Sequence, residues 1–208
     1  MFGGNFQTWK LHSAQDYFMF FAYILAGVMV FWLIAKHMNK QRNHEKAVEK
    51  VSGRLKKICG KPGEVLKNAT LNLPEGKMTF DAVLMDKRGV YLVRTYGWGI
   101  KIYGTPDGAM WRREDAKRKE EFENPLLELK KGAAEITKLM EENGVQNLKV
   151  MPMVVFADNF QTPELYLGYG SFSTTYQELK SWYKKQSGVK EVQYDYDKVS
   201  SIIKGLVK

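Results

Sequence analysis

Nineteen consecutive residues, Tyr17 to Ala35 (YFMFFAYILAGVMVFWLIA), carry no charge and are rich in Phe, Ile, Leu, Val and Met. As a helix this run spans about 28 Å, close to the roughly 30 Å hydrocarbon layer of a bilayer, so a transmembrane helix over 17–35 is expected. A signal peptide usually has a basic start, a shorter apolar run and a small-residue cleavage site, and the segment shows none of them. A core helix of a soluble domain normally shows a polar face, which is also missing. Tyr17, Tyr23 and Trp32 suit the two membrane interfaces, and Ala22 with Ala26 is a small-xxx-small pair of the kind that lets helices pack.

Charge sets the expected orientation. Lys and Arg outnumber Asp and Glu 32 to 23, a net charge of +9. Seven of those nine net charges fall in 36–61, which holds Lys36, Lys40, Arg42, Lys46, Lys50, Arg54, Lys56, Lys57 and Lys61 against Glu45 and Glu49. Lys10 is the only base ahead of the apolar run, so the N-terminal lead, 1–16, is expected outside and the remainder in the cytoplasm. Within 36–61, Val48, Val51, Leu55 and Ile58 recur at helical spacing beside a basic stripe, which reads as an amphipathic helix that docks on the domain. That stripe suits anionic lipid headgroups, a nucleic-acid backbone, or plain positive-inside charge on a solvated face. Cys59 is the only cysteine, which excludes an intrachain disulfide, and His12, His37 and His44 are too scattered to argue for zinc.

The region 62–208 has the length of one domain with a sizeable core. Ala69–Leu73 reads as a first strand before the turn at Pro74-Glu75-Gly76. Thr79 to Gly104 then reads as a hairpin feeding a further strand, with its turn at Asp86-Lys87-Arg88-Gly89. Ile100–Tyr103 and Met110-Trp111 look like pairing partners, and the densely charged Arg112–Glu123 reads as a loop. Asn124-Pro125 has the signature of an N-cap and first helical position, followed by an apolar stripe of Leu126, Leu129, Ala133, Ile136 and Met140 that ends at Gly144. Val150–Ala157 is a continuous apolar run, as expected of a strand covered on both faces. Thr174-x-x-Gln177 or Thr175-x-x-Glu178 offers a capping box for a helix to about Gln186, and 197–207 reads as a last helix. The order implies an α/β fold, a mixed sheet flanked by helices.

Phe80-Asp81, Val90–Val93, Trp98-Gly99-Ile100, Tyr103-Gly104, Trp111, Asn124-Pro125-Leu126 and the strand ending in Val155-Phe156 together resemble the nuclease-related domain (NERD) family over roughly 44–208. That family is similar to the PD-(D/E)xK nucleases, so the resemblance implies a restriction-endonuclease-like sheet. It also implies an active site of a helix acid, a strand acid and a Glu-x-Lys pair. The corresponding positions here are Glu45, Asp81 and Arg94-Thr95-Tyr96, with Glu128 where the family has Gln after Asn-Pro-Leu.

The departure at Arg94 and Tyr96 bears directly on chemistry. Such nucleases use two or three carboxylates to hold Mg²⁺ and a lysine near the attacking water. An arginine at Arg94 removes one ligand and brings a fixed cation to the metal's position, and Tyr96 cannot replace an ammonium. The expected function is therefore a catalytically degenerate, membrane-anchored domain that binds DNA, RNA or another anionic partner, with Arg94, Lys101, Arg112 and Arg113 as candidate contacts and no metal of its own. Two alternatives stand beside it: an active Mg²⁺-dependent nuclease built from rearranged acids Glu45, Asp81 and Glu128, and a scaffold that holds a membrane-protein partner.

Overall fold

The computed structural model describes residues 13–41, 44–97, 100–116, 118–158, 162–186 and 194–207. The chain divides into two compact units, 1–40 and 41–208. Among the described residues the first holds helix α1, Ala14–Gln41, up to its final residue. Its start is fixed by a reciprocal cap in which the Asp16 amide donates to Ser13 Oγ and the Ser13 amide donates to Asp16 Oδ2. Ala14–Ala35 is long and apolar enough to cross a membrane, and its large side chains from Tyr17 to Ile34 are exposed within the chain.

The second unit begins with α2, His44–Cys59. The basic stretch is therefore divided, because 36–41 continue α1 and a new helix starts at His44. Three strands follow, β1 Glu64–Leu73, β2 Gly76–Asp86 and β3 Gly89–Tyr96, joined as an antiparallel meander. Gly89 sits at φ 141°, and a Cβ there would meet the Lys149 carbonyl, so this turn position requires glycine. Then come β4 Lys101–Gly104, β5 Met110–Glu114, β6 Lys119–Glu123, α3 Pro125–Glu142, β7 Val150–Phe156, β8 Glu164–Leu167, β9 Ser173–Thr175, α4 Leu179–Gln186 and α5 Tyr196–Leu206.

Two mixed sheets result. The larger has the order β1-β2-β3-β7-β9, with β7 parallel to both of its neighbours, and the smaller has the order β6-β5-β4-β8. One face of the larger sheet packs Phe80, Val83, Met85 and Leu92 against α3, α5 and the smaller sheet's Ile102 and Trp111. The other face packs Ala82, Leu84, Tyr91, Val93 and Met153 against Ala47, Val51 and Leu55 of α2 and Leu179 and Tyr183 of α4. Each such aliphatic side chain contributes about 2 kcal/mol on burial, which is what holds α2 in place. Coverage on both faces explains the unbroken apolar run of β7.

Helix α3 follows its sequence signals closely. Asn124 Oδ1 accepts the Leu126 amide at 2.9 Å, Pro125 takes the first position, and the chain turns at Gly144 with φ 72°. Arg112–Glu123 does not follow the expected loop. It forms the β5–β6 hairpin, in which Arg113 pairs with Glu120 and Lys119 with Glu114 across the strands, while Trp111 and Phe122 turn inward edge to face. Opposite charges across a ladder stabilise a strand pair, a relation that local composition does not display. Strand β8 is likewise not predicted by the sequence pattern. The capping threonines lie in β9, and Thr175 Oγ1 accepts the Glu178 amide at 3.2 Å just before α4.

Candidate functional site

Strand β2 changes phase where its acid lies. Met78 and Phe80 face the α3 side, and so do Val83 and Met85, so the in-out alternation shifts by one residue between Phe80 and Val83. On β1, Asn68 lies between the pairs Lys67↔Ala82 and Ala69↔Phe80 and has a left-handed φ of 48°. The β2–β3 ladder ends at Ala82↔Val93, and beyond it Arg94, Thr95 and Tyr96 pair with β7 alone. Asp81 fills the place where β2 ceases to offer ladder partners to β3.

Four elements meet there. Asp81 is only 5% exposed, and its Oδ2 accepts the Thr95 amide at 2.6 Å. Its Oδ1 lies 3.3 Å from His44 Nε2 at the start of α2 and 3.7 Å from Arg94 Nη1. The other end of the guanidinium, Nη2, donates to Glu128 Oε2 at 2.6 Å. Arg94 thus bridges a buried carboxylate on the sheet and a half-exposed one in the first turn of α3. Planar guanidinium suits this role because its donors are fixed in a fork and it stays charged.

Of the expected acids, Asp81 and Glu128 come together around Arg94, whereas Glu45 is exposed on the first turn of α2. The residue of α2 that reaches Asp81 is the adjacent His44, which spacing alone did not mark. Tyr96 serves the core, stacking on Phe156 at 5.6 Å and tilting against Phe122 at 5.5 Å. Burial, opposed by Arg94 and helped by Asp81 and Glu128, pushes its hydroxyl up to about 12, so it is a neutral phenol at physiological pH. The other candidate contacts belong to the smaller sheet: Lys101 lies 4.0 Å from Glu164, Arg113 pairs with Glu120, and Arg112 stacks over the Tyr103 ring at 4.9 Å. Trp98 and Gly99 lie outside the described residues.

Comparison with known proteins adds a family to this geometry. The model of the nuclease-related domain matches residues 40–157, more than half of the chain. The chain belongs to the NERD family. It is also similar to an uncharacterized protein of Bacillus anthracis, with 31% identity over 126 residues, which is 60% of this chain and 57% of that protein. The chain thus spans little more than half the length of that relative. No solved structure matches.

The nuclease side of the NERD resemblance implies a divalent ion, and the donor set can be tested for it. Such an ion needs several convergent carboxylate oxygens with open coordination positions. Here one oxygen of Asp81 is taken by the Thr95 amide, and the space between Asp81 and Glu128 holds a guanidinium. Among the described residues no group of three or more His, Cys, Asp or Glu is placed to hold a metal ion. The residues present do not fit a divalent ion.

Two outcomes follow. Asp81→Ala leaves a buried amide unpaired and removes one of Arg94's two acids, so it should lower stability in urea unfolding by about 2–4 kcal/mol. A loss within about 0.5 kcal/mol would mean that Asp81 is an ordinary surface acid. Tyr96 has a folded pKa of about 12 against an ordinary 10.0, so its contribution is fully present below the unfolded value and is lost as pH rises through the folded one. Thermal melts should therefore show a shallower loss of stability across this alkaline window in Tyr96→Phe than in the wild type. An identical slope would contradict the assignment.

Proposed function

We propose that this chain is a membrane-anchored NERD domain that binds an anionic partner, nucleic acid included, without hydrolysing it. Its N-terminus lies outside and its domain on the cytoplasmic face. One observation carries the reading: Arg94, at the position where the resemblance implies the family's catalytic glutamate, ties Asp81 to Glu128. A guanidinium in that place cannot coordinate a metal or activate water, and it repels the divalent ion that the hydrolytic mechanism uses. The five-stranded mixed sheet between α2 and α3 agrees with a restriction-endonuclease-like frame that has kept its architecture and lost its chemistry. Anchoring rests on the exposed apolar surface of α1, and orientation on the basic excess that follows it. A net charge of +9 supports the anionic partner.

The test uses the full chain in detergent, incubated with linear DNA and with RNA in the presence of Mg²⁺ or Mn²⁺. Retention that weakens with salt and yields no cleavage product is expected. A cleavage product that disappears in Asp81→Asn, which keeps an acceptor for the Thr95 amide, would overturn the reading.

A further inference from the structure

Helix α2 carries a second constellation, one that shares no lining residue with the Asp81–Arg94–Glu128 cluster. Its outer face and the start of α4 enclose a groove of about 500 Å³ lined by Lys50, Arg54, Lys57 and Lys180, with Glu49 as the one acid. The Arg54 guanidinium lies 4.6 Å from the centre of the Tyr176 ring and donates to the Gln177 carbonyl at 3.3 Å. Those contacts fix its orientation at the wall of the groove. Among the described residues Lys57 and Lys180 have no ion-pair or hydrogen-bond partner. Four cations and a single acid line this concavity, an excess of positive charge that favours an anion.

Gly53 also lines the groove. It lies in the middle of α2, where glycine is the poorest helix former after proline, and a Cβ there would meet nothing within 4 Å. No contact within the described chain requires glycine at this position, and the consequence of having it is room in the groove. Ile58 and Tyr176 add apolar wall beside the charges.

We propose that this groove binds the phosphate headgroup of anionic membrane lipids. A tight cluster of lysines with an oriented arginine matches a phosphate's oxygens, and the apolar wall matches the glycerol and first methylenes that follow. The lipid source is favoured because Lys50 follows Ala35, the last residue of the apolar segment, by only fifteen residues. A short tether keeps local headgroup concentration high. The inference rests on the anchored reading above, and its failure is separable from that reading's, because cleavage does not enter the measurement.

The experiment measures equilibrium binding of monomeric short-chain phosphatidic acid and phosphatidylglycerol to the full chain in detergent, alongside inorganic phosphate and a single-stranded oligonucleotide. Short-chain anionic lipid should bind at least tenfold more tightly than inorganic phosphate. The double variant Arg54→Gln/Lys57→Gln should lose at least tenfold in affinity, and Gly53→Leu should lose binding with no change of charge. Glu49→Gln should bind several-fold more tightly than the wild type, a gain that misfolding cannot imitate. Equal affinity for inorganic phosphate would overturn the lipid assignment. So would an oligonucleotide that outcompetes lipid through the same side chains, or lipid binding indifferent to all three variants.

Discussion

A carboxylate sealed inside a protein has to be neutralised or hydrogen-bonded, and Asp81 draws on both means. The Thr95 amide satisfies one oxygen, while His44 and Arg94 face the other. This constraint links the architecture together. It lies where β2 and β3 part, it receives the first residue of α2, and through Arg94 it reaches the first turn of α3. The two helices that cover opposite faces of the larger sheet thus meet its strands at one polar point.

A guanidinium at such a point does different chemistry from a metal ion. A hydrated divalent ion exchanges ligands and polarises a phosphate, whereas an arginine held between two acids has its charge balanced by them. Removing either partner of Arg94 leaves a charge uncompensated, and both partners belong to the chain. The basic side chains outside the cluster are arranged differently. On the smaller sheet Arg113 and Lys119 have acidic neighbours, while in the groove beside α4 four cations outnumber one acid. The proposed anion site is therefore better served by α2 than by the Asp81–Arg94–Glu128 cluster.

Much of this was legible in the residues before any coordinates. The caps of α3, its buried stripe and the doubly covered strand β7 follow from local signals that act within a few residues. The hairpin turn at Lys87-Arg88 is of the same kind. The β5–β6 hairpin was not legible, because its support is cross-strand charge pairing between Arg113 and Glu120 and between Lys119 and Glu114. Nor was the convergence of His44 with Asp81, or of Glu128 with Arg94, since no spacing rule brings residues 34 or 37 positions apart to one point. The phase shift on β2 left a trace, the three-residue step from Phe80 to Val83 in an otherwise alternating run. Its meaning appears only beside the left-handed Asn68 on the neighbouring strand.

The central claim is that Arg94 stands in place of a metal ion, and Mn²⁺ binding followed by electron paramagnetic resonance tests it most directly. The account predicts that Arg94→Glu gains a Mn²⁺ site at least tenfold tighter than anything in the wild type, and that the added Asp81→Asn change removes it. Wild-type protein that binds Mn²⁺ as tightly as Arg94→Glu, and loses it with Asp81→Asn, would contradict the account.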